Sequence, residues 1–520
     1  ATVGTLDEMS NYLTSGYWQD TGPSARNLDT SRSNQIAVDI SGLTADGQQL
    51  ALWAMEAWEL VANIDFVQVS GTADITFDDT GSGASTSTTT IGGAISSATV
   101  DISTGWLSRY GTTIDSYSFQ TYVHEIGHAI GLGHQGNYNG SATYGTDETF
   151  LNDSWHASVM SYFNQSENTS ILASYARLLT PMMADVLAIQ GIYGASNVTA
   201  GNTTWGANSN LGGYIGAVFA EMAGESFMTG YTGSSMALTI ADSGGHDTLD
   251  LSFLTGQANI DMREEAFSDV GGLTGNLAIA RGSVIEDLIT GTGNDSIQGN
   301  QADNVIRSGD GDDTIFSLGG NDTVFGQGGN DVIYGGGGNS AMRNAAGADI
   351  IYNGAGNDTV YGTAGNSLVE ARNGGSNVLR GQGGDDLIYA SSDVGGIDGD
   401  SGHDIINGSA DSDTIYSGIW QGETIIFGHG GADVIYGSIS NDTVYGGTGN
   451  DNISGSWGDD RIVAGSGNDS VRGSVGADTF VFLNGHEGVI VEDFSFTEND
   501  RLELDNALWD GVLTASQVLS

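Results

Sequence analysis

Tyr122-Val123-His124-Glu125-Ile126-Gly127-His128-Ala129-Ile130-Gly131-Leu132-Gly133-His134 reads H-E-x-x-H continued by x-x-G-x-x-H. His124 and His128 are four apart, so on a helix they share one face and their imidazoles reach one ion. Glu125, beside the first of them, is placed to act as general base toward water rather than as a ligand. Gly131 lets the chain leave the helix at a backbone angle that other residues resist. That turn brings His134 round as the third ligand. Three histidines leave one position of a tetrahedral zinc open, the arrangement of a catalytic site. The bland alternative is a helix with surface histidines. The chain has eight His in all, and three fall within these eleven residues at the offsets one ion requires.

The chain has 520 residues, 65 acidic against 13 basic, and a net charge of −52. Every basic residue is Arg. Such a chain does not seek nucleic acid or an anionic membrane; it invites divalent cations. The length implies more than one domain. Cys is absent, which excludes disulfides, thiolate zinc sites and inhibition by a propeptide thiolate. No apolar run is long enough to span a bilayer. The first residues, Ala1-Thr2-Val3-Gly4-Thr5-Leu6, lack a basic-then-apolar signal peptide, so export would use another route.

Upstream of the histidines, residues 1–43 read as irregular with one short helix. Thr44 caps a helix carrying Leu50, Trp53, Ala54, Ala57 and Val61 at helical spacing. Asp65–Val69 and Ala73–Phe77 alternate as strands. Residues 80–90 read as a Ser/Thr/Gly loop. Ile91–Ser96 and Ala98–Ile102 read as strands, with Ile91–Ser96 the sheet edge beside the active-site cleft. The metal helix starts near Ser118. A last helix has Thr180 as N-cap, Pro181 at its first position and Gly194 as its stop.

Ser158-Val159-Met160-Ser161-Tyr162, read alone, is an apolar turn. Together with the 124–134 motif it resembles the metzincins, and among them the serralysin family of secreted bacterial metalloproteases. Leu52-Trp53, Asn63-Ile64-Asp65-Phe66, Gly136-Asn137-Tyr138-Asn139 and the segment from Ala188 to Gly194 agree, so the likeness covers nearly the whole chain. The resemblance implies one catalytic zinc on His124, His128 and His134, with Met160 in the turn beneath it. It implies that Tyr162 ligates the resting zinc and swings to stabilise the tetrahedral intermediate. Gln135 departs from the family, which commonly has Pro there.

Downstream, bulky apolar residues recur every nine positions: Ile297, Ile306, Ile315, Val324, Ile333, Met342, Ile351, Val360, Val369, Val378. After one extra residue come Ile388, Ile397, Ile406 and Ile415, and after two more Ile426, Ile435, Val444, Ile453, Ile462, Val471 and Phe480. Each follows by two a column that is usually Asp. This is the G-G-x-G-x-D-x-U-x repeat of a calcium-binding parallel β-roll. The glycine half turns and the x-U-x half is a short strand; one repeat cannot bury its apolar residue alone, so repeats stack. Two repeats make one coil, so residues eighteen apart share an edge, where carbonyl oxygens and carboxylates hold calcium. Expected ligands are Asp295, Asp313, Asp331, Asp349, Asp386, Asp404, Asp433, Asp442, Asp451, Asp460, Asp469 and Asp478, with Asp247 and Asp250 in an isolated earlier repeat. Asn304, Ser340 and Ser376 interrupt the column. Calcium is therefore expected on one edge in 295–349, sparsely through 358–424, and on both edges in 433–478.

The expected architecture is multidomain, α/β followed by all-β. A metzincin α/β protease domain (1–205) leads to a junction (206–285), an RTX parallel β-roll (286–482) and a short C-terminal β module (483–520). The family exports such chains through a type I channel using a C-terminal segment, of which part is expected to be missing after Ser520. The function this implies is a secreted, extracellular, calcium-stabilised zinc endopeptidase. It would be a monomer acting on protein substrates, with no nucleic-acid partner and no membrane insertion. The competing reading is a calcium-dependent adhesive or matrix protein whose protease domain is idle.

Overall fold

The computed structural model describes residues 1–391, 395–419, 422–486 and 488–505. The chain forms two compact units, Ala1–Gly291 and Thr292–Ser520.

The first unit opens with more regular structure than its polar sequence suggests. Residues 1–43 hold α1 (Leu6–Asn11), a π-helical turn (Tyr12–Gly16), α2 (Tyr17–Thr21), β1 (Asn27–Leu28) and β2 (Gln35–Gly42). A capping box starts this run: the Thr5 hydroxyl accepts from Glu8 N and the Glu8 carboxylate from Thr5 N. Burial of Tyr12, Tyr17 and Trp18 holds it down. Next come α3 (Ala45–Val61), capped by Thr44, β3 (Asp65–Gln68) and β4 (Ile75–Asp78).

The 80–90 reading is corrected. β5 (Ala84–Ile91) is a full strand, antiparallel to β6 (Ala94–Ile102). Its threonines suit a pleated, half-exposed surface. Gly92 and Gly93, at φ +62° and +90°, make the two-residue turn whose twist matches a hairpin. The other strands run parallel in the order β1-β6-β4-β2-β3, and β5 pairs only with β6. The sheet edge is therefore Ala84–Ile91, and Ile91–Ser96 is the hairpin end.

After α4 (Thr104–Tyr110), Ser116 caps α5 (Tyr117–Ala129), its hydroxyl accepting from Phe119 N at 3.2 Å. Trp58 of α3 donates its indole N–H to Val123 O of α5 at 2.9 Å, fixing the two long helices together. α6 (Met183–Tyr193) begins later than its Thr-Pro signal implies. The Thr180 hydroxyl accepts instead from Thr239 N, and the Asp185 carboxylate accepts from Met182 N. Gly194 ends α6 at φ +84°. α7 (Gly213–Met222) follows. Thr204–Gly206, Thr248–Asp250 and Asp287–Ile289 then pair in parallel.

In the second unit, three-residue strands pair in parallel with partners eighteen positions away. Ile297 meets Ile315, then Ile333, then Ile351; Ile306 meets Val324, then Met342, then Val360. These residues are fully buried, so each strand contributes one side chain to a continuous column. One register differs from the sequence reading. Val360 pairs with Leu379, which is buried in place of Val378, and Asn377 takes the column position assigned to Ser376. The extra residue thus lies before this strand, in the Asn373-Gly374-Gly375 turn. Ile490–Val491 and Arg501–Leu504 pair onto the last repeats. The expectations for residues 506–520 lie outside the described residues.

Candidate metal centre and calcium columns

α5 presents His124 and His128 on one face, and the turn after it returns His134. The ligand atoms of the three lie within 4.8 Å of one another. His124 Nδ1 donates to Val159 O and His128 Nδ1 to Leu132 O, both at 2.8 Å. Those bonds fix the tautomers and leave each Nε2 as the free donor atom. His128 Nε2 and His134 Nε2 stand 3.0 Å apart. Burial pushes His128 down to about 3 and His134 well below the usual histidine range, so both stay neutral. Three imidazoles converging on one point fit a zinc ion.

Gly131 makes this possible. Its φ is +116°, and a Cβ there would stand 2.3 Å from Arg26 O. Gly131→Ala is expected to cost about 3 kcal/mol and to lower zinc content, measured by denaturation and metal analysis. An alanine variant with unchanged stability and full zinc would contradict this role. Gly127 is constrained as well, because a Cβ would meet Met160 Sδ at 2.6 Å. That close approach seats Met160 under the helix.

Glu125 is buried, and burial raises its carboxyl above the usual range. Thr86 of the edge strand β5 donates to Glu125 Oε2 at 2.8 Å. Tyr162 packs its ring 4.6 Å from that of His134, and its hydroxyl oxygen accepts from Gly140 N at 3.3 Å. Burial, then the charge of Glu125, raises its pKa, so it stays an O–H donor. Tyr138 lies behind it, accepting from Tyr162 N and donating to Asp153. Gln135 is buried, its side-chain amide donating to Met9 O at 3.2 Å. These groups surround a cleft of about 1000 Å³ that includes Glu125, the three histidines and Tyr162.

The sequence reading missed two residues. Asp185 is fully buried; Ser158 Oγ and Val159 N both donate to it at 2.6 Å, so α6 pins the turn that carries Met160. Burial raises it to about 7. Its sequence signal is weak, an acid in the first turn of a helix. Thr86 had no signal, since it sat in the segment read as a loop.

The acidic columns fall into two geometries. In the first, one carboxylate oxygen accepts the backbone N–H of the preceding coil and the second is buried with no partner. Asp331 takes Asp313 N at 3.0 Å, Asp433 takes Asp413 N at 2.8 Å, and Asp460 takes Asp442 N at 2.8 Å. The second oxygens of Asp247, Asp313, Asp322, Asp331, Asp358, Asp386, Asp404, Asp433, Asp451, Asp460 and Asp469 are of this kind. Buried carboxylate oxygens without a donor fit a cation. Asp322 and Asp358 belong to the column expected to be bare, so open oxygens are not confined to one edge in the first block. In the second geometry, serine closes the site. Ser438 N and Oγ donate to Asp442 Oδ2 at 2.6 and 3.0 Å, and Ser409 does the same to Asp413. Asp442, expected as a ligand, therefore has its second oxygen already satisfied. Asp250 likewise accepts from Asn208 and from Ser252 N. The difference lies in the residue four before the Asp. Gln327, His429 and Ser456 are left-handed at φ +67°, +69° and +78°, whereas Ser409 and Ser438 are not among the left-handed residues.

Residues 197–445 match the family model described as Peptidase M10 serralysin C terminal, and residues 454–486 match the RTX calcium-binding nonapeptide repeat. The chain is 36% identical over 283 residues to metallopeptidase AprA of Pseudomonas marginalis, covering 51% of this chain and 57% of that protein. It is 35% identical over 282 residues to a serralysin of Photorhabdus luminescens, covering 52% and 55%. It is 37% identical over 263 residues to serralysin B of Dickeya chrysanthemi, covering 48% and 52%. The matches thus span little more than half the length of these relatives. The chain thus joins a three-histidine metal helix to a region similar to the serralysin C terminus.

Proposed function

We propose that the chain is a calcium-stabilised zinc endopeptidase that acts outside the cell on protein substrates. The observation that carries this reading is the convergence of three imidazoles beside a buried carboxylate, in a cleft bordered by a free strand edge. Zinc on His124, His128 and His134 would supply Lewis acidity toward a peptide carbonyl and toward water. Glu125 takes a proton from the attacking water and passes it to the leaving amine, a role its raised pKa suits. The Tyr162 hydroxyl donates a hydrogen bond to the developing oxyanion. Met160, Gly131 and Asp185 position the histidines. An extended substrate adds as a strand to β5, whose outer edge has no strand partner among the described residues. Casein hydrolysis in millimolar calcium, abolished by a zinc chelator and restored by zinc, tests the reading; intact casein with zinc fully bound would move the weight to the adhesive alternative.

The roll holds calcium at the open columns and supports folding outside the cell, where calcium is abundant. Export through a type I channel is part of the same reading and rests on family likeness. Asp413 and Asp442 are excluded from the calcium set because serine occupies them. Ser438→Gly would remove the hydroxyl donor and permit a left-handed turn that carries the residue's backbone N–H away from the second oxygen of Asp442. Equilibrium dialysis is expected to find about one more calcium per chain in this variant; an unchanged stoichiometry would count against serine closure.

A further inference from the structure

Several of the chain's arginines sit beside acidic partners. Arg263, Arg281, Arg372, Arg461 and Arg472 pair with carboxylates. No carboxylate lies within 4.0 Å of the Arg26 guanidinium among the described residues, in a chain whose net charge is −52. Its Nη1 donates to the Thr88 hydroxyl at 2.6 Å, its Nε is buried with no partner, and its Cζ lies 4.2 Å from the Trp18 ring centroid. Trp18 in turn donates to Gly131 O at 3.2 Å. The backbone carbonyl of Arg26 packs against Gly131. The guanidinium is thus held from several sides, lining the same cleft as Glu125.

Its position along the strand edge is defined. Thr86, which bonds Glu125, and Thr88, which bonds Arg26, are two apart on β5 and so lie on one face. The separation along the strand is about 6.6 Å, two residues of a paired substrate strand. Among the described residues, Arg26 is the only Arg and Glu125 the only acidic residue in the cleft lining. A guanidinium that stacks on an indole and carries unused donors favours a planar carboxylate over a neutral amide of equal size.

We propose that Arg26 is a specificity residue that selects substrates with an acidic side chain about two positions from the scissile bond, on one side only. This rests on the endopeptidase reading and deepens it. The test uses the full zinc- and calcium-loaded chain and terminally blocked peptides with Glu, Gln or Lys at each of three positions on either side of the cleaved bond. Mass spectrometry gives kcat/KM for each. The expected result is a preference of about tenfold for Glu over Gln at one position two residues from the bond. Lys there is the poorest. The preference disappears in Arg26→Gln, survives in part in Arg26→Lys, and shrinks in half-molar salt. Zinc content and melting temperature check that Arg26→Gln is folded, and the wild-type ratio and its salt dependence stand without the variant. Cleavage of Glu and Gln peptides at equal rates, or a preference that persists in Arg26→Gln, would overturn the proposal while leaving the endopeptidase reading intact. Failure to cleave any peptide would overturn both.

Discussion

Glu125→Gln is expected to lose casein hydrolysis by about a thousandfold while binding zinc as the wild type does. The substitution preserves shape and keeps an acceptor for the Thr86 hydroxyl, which donates to this side chain at 2.8 Å. It removes only the capacity to take up and return a proton. The histidines are held by Val159 O and Leu132 O rather than by Glu125, so the metal geometry should persist. Metal analysis, melting temperature and turnover together separate loss of the base from loss of the site. A Glu125→Gln protein within tenfold of wild-type turnover would refute the assignment of the base. A variant that lost both zinc and activity would show instead that Glu125 holds the fold together.

Calcium removal is expected to make the roll's stability fall as pH rises, and calcium is expected to reverse that slope. The cause is the buried column. Burial raises Asp313, Asp451 and Asp478 to about 6, Asp331, Asp404 and Asp433 to about 7, Asp386 to about 8 and Asp460 to about 9. The usual value is 3.8. Between about pH 4 and pH 9 the calcium-free folded roll therefore binds more protons than the unfolded chain. Its stability is full below pH 4 on this account and is lost as pH rises through the folded values. Calcium removes the need for those protons by binding the ionised carboxylates, and it binds better as they ionise. Scanning calorimetry in chelator should find the roll's transition falling by on the order of 10 °C from pH 5 to pH 8. Neighbouring carboxylates titrate together, so the drop is smaller than their summed shifts would give. In millimolar calcium the same transition should rise over that range. A chelated roll whose melting does not change with pH would sink the idea that these carboxylates are held protonated without calcium.

The metal-ligand spacing and the repeat were legible in the sequence because both depend on short, fixed offsets. The offsets among His124, His128 and His134 need only a helix and a turn, and Gly131 marks the turn. The nonapeptide period specifies stacking directly, since one apolar residue per nine can be buried only between coils. Where the period slips, near Asn373, spacing alone placed the slip one repeat too late. Burial of Leu379 decided it.

Other features depended on partners distant in the chain. The threonines of Ala84–Ile91 look like a loop until β6 pairs with them, because a polar edge strand lacks the apolar alternation that marks a buried one. Asp185 is one acid in a helix start until the Met160 turn folds over it. Asp442 has the same repeat context as Asp433, yet Ser438 satisfies its second oxygen. Sequence alone determined which histidines are spaced to meet at one ion and how the roll repeats, since local geometry fixes both. Only the tertiary structure decided which strand is the free edge beside the cleft, what supports the histidines from beneath and which carboxylate oxygens lack a donor, because each depends on a hydrogen-bond partner that local sequence does not specify.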